Sequence, residues 1–347
     1  MYFVLCTLYF MNLSEFELIH RIRHQRPTAP DRVLLGIGDD TAAVRPTPGM
    51  ALLVTTDTFV EGTDFDTAFS TWQQIGWKSM AANVSDIAAM GGLPLYALTT
   101  FCLPDCRTAE EIDGLHEGMD RLIDHIDLSI SIIGGDLSGI TGPTVISITL
   151  IGETEPKHIL KRSGARVGDY VCVTGHLGAS EAGLRLLQHT RQQPDRSLLE
   201  PYAATIAKHL SPVPRVQEGR LLADSGFVHA MIDISDGLSS DALHIGHGSR
   251  VGLSIYADAL PITAETKAAA QTLQVDPVKL AMQSGEEFEL LCTIDPNQVE
   301  SLASRMADQT GLSLTPIGEV VAESEGFSWI DTNGIHLLLA EGYEHFR

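Results

Sequence analysis

Basic residues are scarce in this chain. Against 45 Asp+Glu it carries only 23 Lys+Arg, a formal net charge of −22 over 347 residues. A surface that acidic repels the phosphates of nucleic acid and of anionic membranes, so neither is expected as a partner. Cysteine is also sparse: Cys6, Cys102, Cys106, Cys172 and Cys292 are odd in number and widely spread. That excludes a disulfide framework and favours a reducing compartment. Cys102 and Cys106 lack a second pair with which to build a zinc site. Long apolar runs are missing too. The first ten residues, MYFVLCTLYF, are apolar and aromatic but too short to span a bilayer. They also lack the basic region and small-residue cleavage site of a secretory signal. Met11 opens MNLSEFELIHRI with Ser14 as N-cap, and translation is expected to start there, leaving residues 1–10 as a misassigned start or an extension. The expectation is a soluble, cytoplasmic protein.

The common phosphate-binding devices are absent as well. No G-x-x-x-x-G-K-[ST] occurs, which excludes a P-loop enzyme. GIGDDT lacks the third glycine of the dinucleotide fingerprint and puts two acids where a pyrophosphate needs room. The protein-kinase signature set does not occur. His20, His24, His244 and His247 read as helix-surface residues, with no thiol or serine nearby to make a nucleophile.

What is present is ordinary globular composition, 44% hydrophobic and 20% charged, at a length that suggests two domains. Apolar runs and amphipathic stretches alternate, which points to an α/β or α+β architecture. Strands are expected over 50–59, 95–103, 128–136, 144–153 and 170–175, and helices over about 70–90, 110–126 and 179–188. The basic, glycine-containing KRSGARVGD turn at 161–169 places a boundary near 155, dividing 11–155 from 156–347. In the 70–90 helix, Trp72, Ile75, Ser79, Ala82, Asp86 and Ala89 recur at three- and four-residue steps, which puts Asp86 on the inward face. A carboxylate there is costly unless paired or metal-bound.

One device recurs: a strand running straight into aspartates. It occurs at Gly38-Asp39-Asp40, Thr55-Thr56-Asp57, Gly134-Gly135-Asp136 and Asp233-Ile234-Ser235-Asp236. Carboxylates and hydroxyls beside glycine suit Mg²⁺, which takes oxygen ligands and shares them with substrate phosphates. Without a cation, converging aspartates repel one another and raise their own pKa values. Each cluster alone is equally a turn or a helix cap; their joint occurrence carries the argument.

In order along the chain, GIGDDTA, TTDTFVEG, NVSDIAAMGG, IIGGD, KRSGA, VTG, IDISDGL, SGEEFEL and GYEHF resemble the motifs of the thiamine-monophosphate kinase family. The resemblance runs from Glu15 to Phe346 and implies a two-domain PurM-like architecture, with an N-terminal mixed sheet with helices and a C-terminal α/β domain. It implies an ATP/Mg-binding and dimerisation domain over 11–155 and a second domain, 156–347, completing the substrate site. ATP as co-substrate, several Mg²⁺ ions and a homodimer follow from the same resemblance. Carried over by motif, Asp40, Thr55, Thr56, Asp57, Asp86, Asp136, Asp233 and Asp236 match metal positions, with Asp57 and Asp236 placed at the transfer itself. Gly135, Asp136, Arg162 and Ser235 match ATP contacts, and Asp64, Glu286 and Tyr343 match contacts to thiamine monophosphate. Asp64 stands where some relatives have histidine, and QSGEEFEL departs slightly from the commoner SGGEDYEL. Sister families fit less well: no reactive Cys occupies an N-terminal glycine-rich loop, as selenophosphate synthetase requires. The chain ends EHFR rather than in the Cys of the hydrogenase factor, and aminoimidazole ribonucleotide synthetase lacks the GYEHF signature. A non-catalytic, Ca²⁺- or Mg²⁺-stabilised binding protein is the alternative from another class, opposed by the retained Arg162, Glu286 and Tyr343.

Overall fold

The computed structural model describes residues 21–22, 32–37, 41–191 and 197–343. The apolar start, the Met11 opening with Ser14, His20, His24, Asp39, Asp40 and residues 344–346 of GYEHF lie outside them. The chain divides into two compact units. One comprises the described part of Met1–Asn83 with Pro94–Glu153, the other Val84–Leu93 with Thr154 onward.

In the first unit, β1 (Val33–Leu35) and β2 (Ala43–Val44) form a small antiparallel pair. They precede β3 (Ala51–Val60), α1 (Trp72–Ala89), β4 (Leu93–Leu103), α2 (Ala109–His125), β5 (Ser131–Gly139) and β6 (Val145–Thr154). The four longer strands make one sheet in the order β3-β6-β4-β5. Alternation sets the faces of β3: Leu53 and Phe59 are buried, whereas Leu52 and Val54 are exposed. Strands β4 and β5 are parallel, Thr99 facing Gly135 and Thr100 facing Asp136, with α2 as the crossover that a parallel pair requires. Thr108 and Glu111 start α2 with a reciprocal capping box. The two helices touch backbone to backbone: a Cβ on Gly76 would lie 1.9 Å from the Leu115 carbonyl oxygen, and one on Gly118 would lie 1.8 Å from that of Gln73.

The second unit continues with β7 (Tyr170–Thr174), α3 (Ala179–Thr190), α4 (Ala203–Leu210), α5 (Val216–Ser225), β8 (Val228–Asp233), α6 (Leu238–Ser249) and β9 (Gly252–Tyr256). It ends with α7 (Ala264–Thr272), α8 (Pro277–Gln283), β10 (Leu290–Ile294), α9 (Val299–Thr310), β11 (Leu314–Val321), β12 (Phe327–Asp331) and β13 (Gly334–Leu337). Its mixed sheet runs β13-β12-β9-β11-β7-β10-β8, with β12 and β9 parallel and every other neighbouring pair antiparallel. The central strands β7 (YVCVT) and β10 (LLCTI) are apolar at nearly every position because both faces are covered. Val171, Val173, Ile232 and Leu291 pack with Leu238, Ala242 and Ile245 of α6. The alternate residues Cys172, Met231, Leu290 and Cys292 pack with Leu221 and Leu222 of α5 and Leu302 and Met306 of α9. Among the described residues, no helix is long and apolar enough to cross a membrane.

Candidate active site

The first unit presents its acidic residues on strands and on the turn after β3. Thr55 and Asp57 share the half-buried face of β3, while Thr56 points to the opposite, exposed face. The Thr56 hydroxyl donates to the Ile148 carbonyl at 3.1 Å and accepts from Thr149 Oγ1 at 3.1 Å. Only Thr55 and Asp57 of this triplet therefore point their side chains the same way. Asp64 caps the turn that follows, its Oδ2 accepting the Val60 N–H at 2.8 Å. Asp136 is exposed on β5 and accepts from Ser138 Oγ at 3.3 Å. The glycine before it has no substitute, since a Cβ on Gly135 would stand 1.9 Å from the Thr99 carbonyl oxygen across the strand pair.

The second unit draws its set together more tightly. β8 delivers Asp233, buried, whose Oδ2 accepts from Ser85 Oγ at 2.6 Å. Its neighbour in α1, Asp86, is half-buried on a helix whose other late residues are largely enclosed. Beyond Asp233 the chain passes through Ile234-Ser235-Asp236-Gly237 into α6, and Asp241 in the first turn of that helix reaches back. Its Oδ2 accepts the N–H groups of Ser235, Asp236 and Gly237 at 3.1, 3.2 and 3.1 Å. Oxygen atoms of Asp236 and Asp241 and a ring nitrogen of His244 lie within 4.8 Å of one another. Burial, with Asp233 and Asp236 close by, pushes the Asp241 carboxyl well above the ordinary carboxylate range, although the loop N–H groups pull the other way. A hard divalent cation fits this donor set, because it would offset the repulsion that crowding creates.

Two further strands of chain are laced to the same loop. The Tyr343 N–H donates to the Asp236 carbonyl at 2.9 Å, and Gly342 N–H to Ser240 Oγ at 3.2 Å. A Cβ on Gly342 would stand 2.1 Å from that Asp236 oxygen, so glycine is what lets the C-terminal segment come so close. The Tyr343 ring itself is half exposed, at 51%. Glu286 N–H donates to the Ser235 carbonyl at 2.7 Å, and Phe288 N–H to that of Ile234 at 2.9 Å. Asp233, Ser235, Asp236, Glu286 and Tyr343 are thus joined through one loop. Arg162 is exposed on the KRSGA turn, which Ser249 organises by accepting the N–H groups of Gly164 and Ala165, each at 3.1 Å. Ser249 Oγ also donates to the Arg162 carbonyl at 3.4 Å.

Family models match at both halves: AIR synthase related protein, N-terminal domain, over residues 38–154, and its C-terminal domain over 166–331. The chain is 36% identical to a thiamine-monophosphate kinase of Bacillus subtilis, covering 96% of this chain and 100% of that one. To its Escherichia coli counterpart it is 33% identical, covering 97% and 99%. The chain belongs to the thiamine-monophosphate kinase family. The crystal structure of the family member from Stenotrophomonas maltophilia K279a superposes with a TM-score of 0.78 at 36% identity, covering 89% of this chain and 95% of that one. A structure of AaThiL complexed with AMPPCP and TMP gives 0.74 at 31% identity, covering 98% and 100%. The hydrogenase maturation protein HypE of E. coli, at 20% identity and a TM-score of 0.72, shares the fold. These likenesses extend the family architecture over both units of the chain.

Three side chains gathered at the Asp233–Asp236 loop escape a reading of motifs. Asp241 closes IDISDGL..D, and its spacing of five from Asp236 was the available signal, since one helical turn lets it return to the loop. His244, which reads as a surface residue, is exposed but stands beside Asp236 and Asp241. Ser85 gives no sign in sequence beyond its place next to Asp86.

Proposed function

We propose that this chain transfers the γ-phosphoryl group of ATP in line onto the phosphate of thiamine monophosphate, giving thiamine diphosphate and ADP. The bond from the γ-phosphorus to the β,γ-bridging oxygen breaks as one from a thiamine monophosphate oxygen forms. The observation that carries the reading is the near-full-length identity to thiamine-monophosphate kinases, with the acidic loop 233–236 organised as such a transfer needs. A phosphate monoester has its second pKa at about 6, so the attacking oxygen is already deprotonated at neutral pH and no general base is required. The obstacle is repulsion between two anions in an acidic setting.

Mg²⁺ ions, when bound, neutralise the phosphates and the charge developing on them. Asp40, Thr55, Thr56, Asp57, Asp86, Asp136, Asp233 and Asp236 are the residues proposed to hold them, with Thr56 contributing through its main chain, given where its side chain points. Asp57 and Asp236 stand nearest the transfer in this scheme. Gly135 offers backbone to ATP at a position where a side chain has no room, Ser235 adds its hydroxyl, and Arg162 adds a fixed positive charge. Asp64, Glu286 and Tyr343 serve thiamine monophosphate. Segment 11–155 is the ATP- and Mg-binding part and forms the homodimer; the exposed Leu52 and Val54 on β3 support a contact there. Segment 156–347 completes the substrate site with Glu286 and Tyr343. A cytoplasmic location agrees with the free cysteines at 102, 106, 172 and 292.

Incubation with ATP, Mg²⁺ and thiamine monophosphate is expected to yield thiamine diphosphate and ADP in equal amounts by chromatography. ADP without thiamine diphosphate would move the chain to a sister activity. Tyr343 is expected to stack on the aromatic rings of the substrate. Tyr343→Ala should then raise KM for thiamine monophosphate by about tenfold, a loss of roughly 1.4 kcal/mol, and leave KM for ATP nearly unchanged. Equal changes in both would exclude stacking.

A further inference from the structure

The segment Ser284–Glu289 bends in a way its residue types resist. Glu286 and Phe288 both take left-handed backbone conformations, with φ of 54° and 49°, where a side chain is disfavoured. Something must over-determine that shape, and the structure contains it. Glu287 and Glu289 each follow a strained position and are both fully enclosed, at 0% and 1% exposure. Two buried carboxylates need cations, and these come from far along the chain. Arg215 grips Glu289 with a bidentate pair, Nε to Oε2 at 2.7 Å and a terminal nitrogen to Oε1 at 2.6 Å. Lys208 Nζ adds a third contact to Oε1 at 2.6 Å and lies 4.0 Å from Glu287 Oε2. Thr174 Oγ1 donates to Glu289 Oε2 at 2.8 Å. The other oxygen of Glu287 accepts from Ser284 Oγ at 2.6 Å and from the Ser180 N–H, at the start of α3, at 3.1 Å.

The next residue of α4, His209, is buried and reaches the third acid. Its Nδ1 lies 3.3 Å from Ser180 Oγ and 3.6 Å from Glu286 Oε2. One edge, Lys208–His209 with Arg215, therefore meets Glu286, Glu287 and Glu289 together. The turn it clamps is the one that hydrogen-bonds the Ile234 and Ser235 carbonyls beside Asp236. None of these three residues is among those assigned to metal, ATP or substrate.

We infer that Lys208, His209 and Arg215 are positioning residues that hold the Glu286 carboxylate for thiamine monophosphate. The inference rests on the functional reading above and deepens it. Loss of a cation frees Glu287 or Glu289, the left-handed turn relaxes, and the Glu286 carboxylate leaves its place, while Asp241 still holds the Ser235–Gly237 backbone. The cationic thiazolium ring of thiamine monophosphate is the part of that substrate a carboxylate would recognise.

The test is calorimetric titration of the full chain with thiamine monophosphate, in the presence of Mg²⁺ and AMPPCP, for the unaltered protein, Lys208→Met and His209→Gln. AMPPCP is titrated separately into each. Lys208→Met is expected to weaken thiamine monophosphate binding by about tenfold or more and His209→Gln by about threefold, with the AMPPCP Kd held within about twofold. A Kd for thiamine monophosphate within twofold of the unaltered protein, or equal weakening of both ligands, would overturn the inference. If Lys208→Met does not fold, His209→Gln decides alone, because Glu289 then keeps both its cations. Absence of thiamine monophosphate binding by the unaltered chain overturns the functional reading itself, and the inference with it.

Discussion

Asp236→Asn is expected to lower kcat by about two to three orders of magnitude, the scale seen when one charge-stabilising group at a transfer centre is lost. The expectation comes with an unusual companion: the fold should not suffer. Asp236 crowds Asp241, whose carboxyl is driven up by burial and by its acidic neighbours. Removing one charge relieves that crowding, so the thermal midpoint should stay level or rise. Asp57→Asn, on the half-buried face of β3, should cost turnover on a similar scale. Kinetics at saturating Mg²⁺ with parallel thermal unfolding checks both. Near-normal kcat in the Asn variants would remove these two aspartates from the transfer, whatever the stability.

Glu289→Gln should do the opposite, lowering stability strongly. The amide cannot neutralise Arg215 and Lys208, and leaving buried charge uncompensated costs about 3–5 kcal/mol. Burial pushes the Glu289 carboxyl up, but Lys208 and Arg215 overcome it and hold it down at about 2. The sign of the pH dependence follows. A carboxyl depressed from 4.5 to about 2 contributes stability that is complete above about pH 4.5 and is lost as the pH falls toward 2. Denaturant unfolding of the unaltered chain should therefore weaken between about pH 4.5 and 2, and Glu289→Gln should flatten that part of the profile. An unchanged acid limb in the variant would show that the cluster does not anchor the fold. Glu287 lies under the opposite influence. Its burial outweighs Lys208 and raises its carboxyl, so any stability it contributes is complete at low pH and declines as pH rises through the shifted value. It cannot account for an acid limb.

Much of the architecture was legible because local rules and packing agree. The three- and four-residue recurrence over 70–90 is a helix at Trp72–Ala89, and the apolar runs at 95–103 and 144–153 are the strands Leu93–Leu103 and Val145–Thr154. Asp86, expected on the inward face, is half-buried. That helix is enclosed on nearly all sides, and Asp86 is one of its few half-buried late residues, so a moment-like argument had little contrast to work with. The sheet at 128–136 begins three residues later, at Ser131, since Asp127 takes a left-handed turn with φ of 51° before the strand can start.

Strand periodicity could have separated Thr56 from Thr55 and Asp57, because alternate residues face opposite ways. The hydrogen bonds of Thr56 to the neighbouring strand then show where its hydroxyl is spent. By itself the sequence determined the family, since its motifs are matters of residue type and local order. Of the expected acidic strand ends, among the described residues only Asp233 closes a strand, while Asp57 and Asp136 lie within β3 and β5, which run on to Val60 and Gly139. Only the tertiary structure decided that Lys208, His209 and Arg215 meet Glu286, Glu287 and Glu289. Lys208 and Arg215 lie 81 and 74 residues from Glu289, and no periodicity reports a pairing that exists only because burial forces distant charges to find each other.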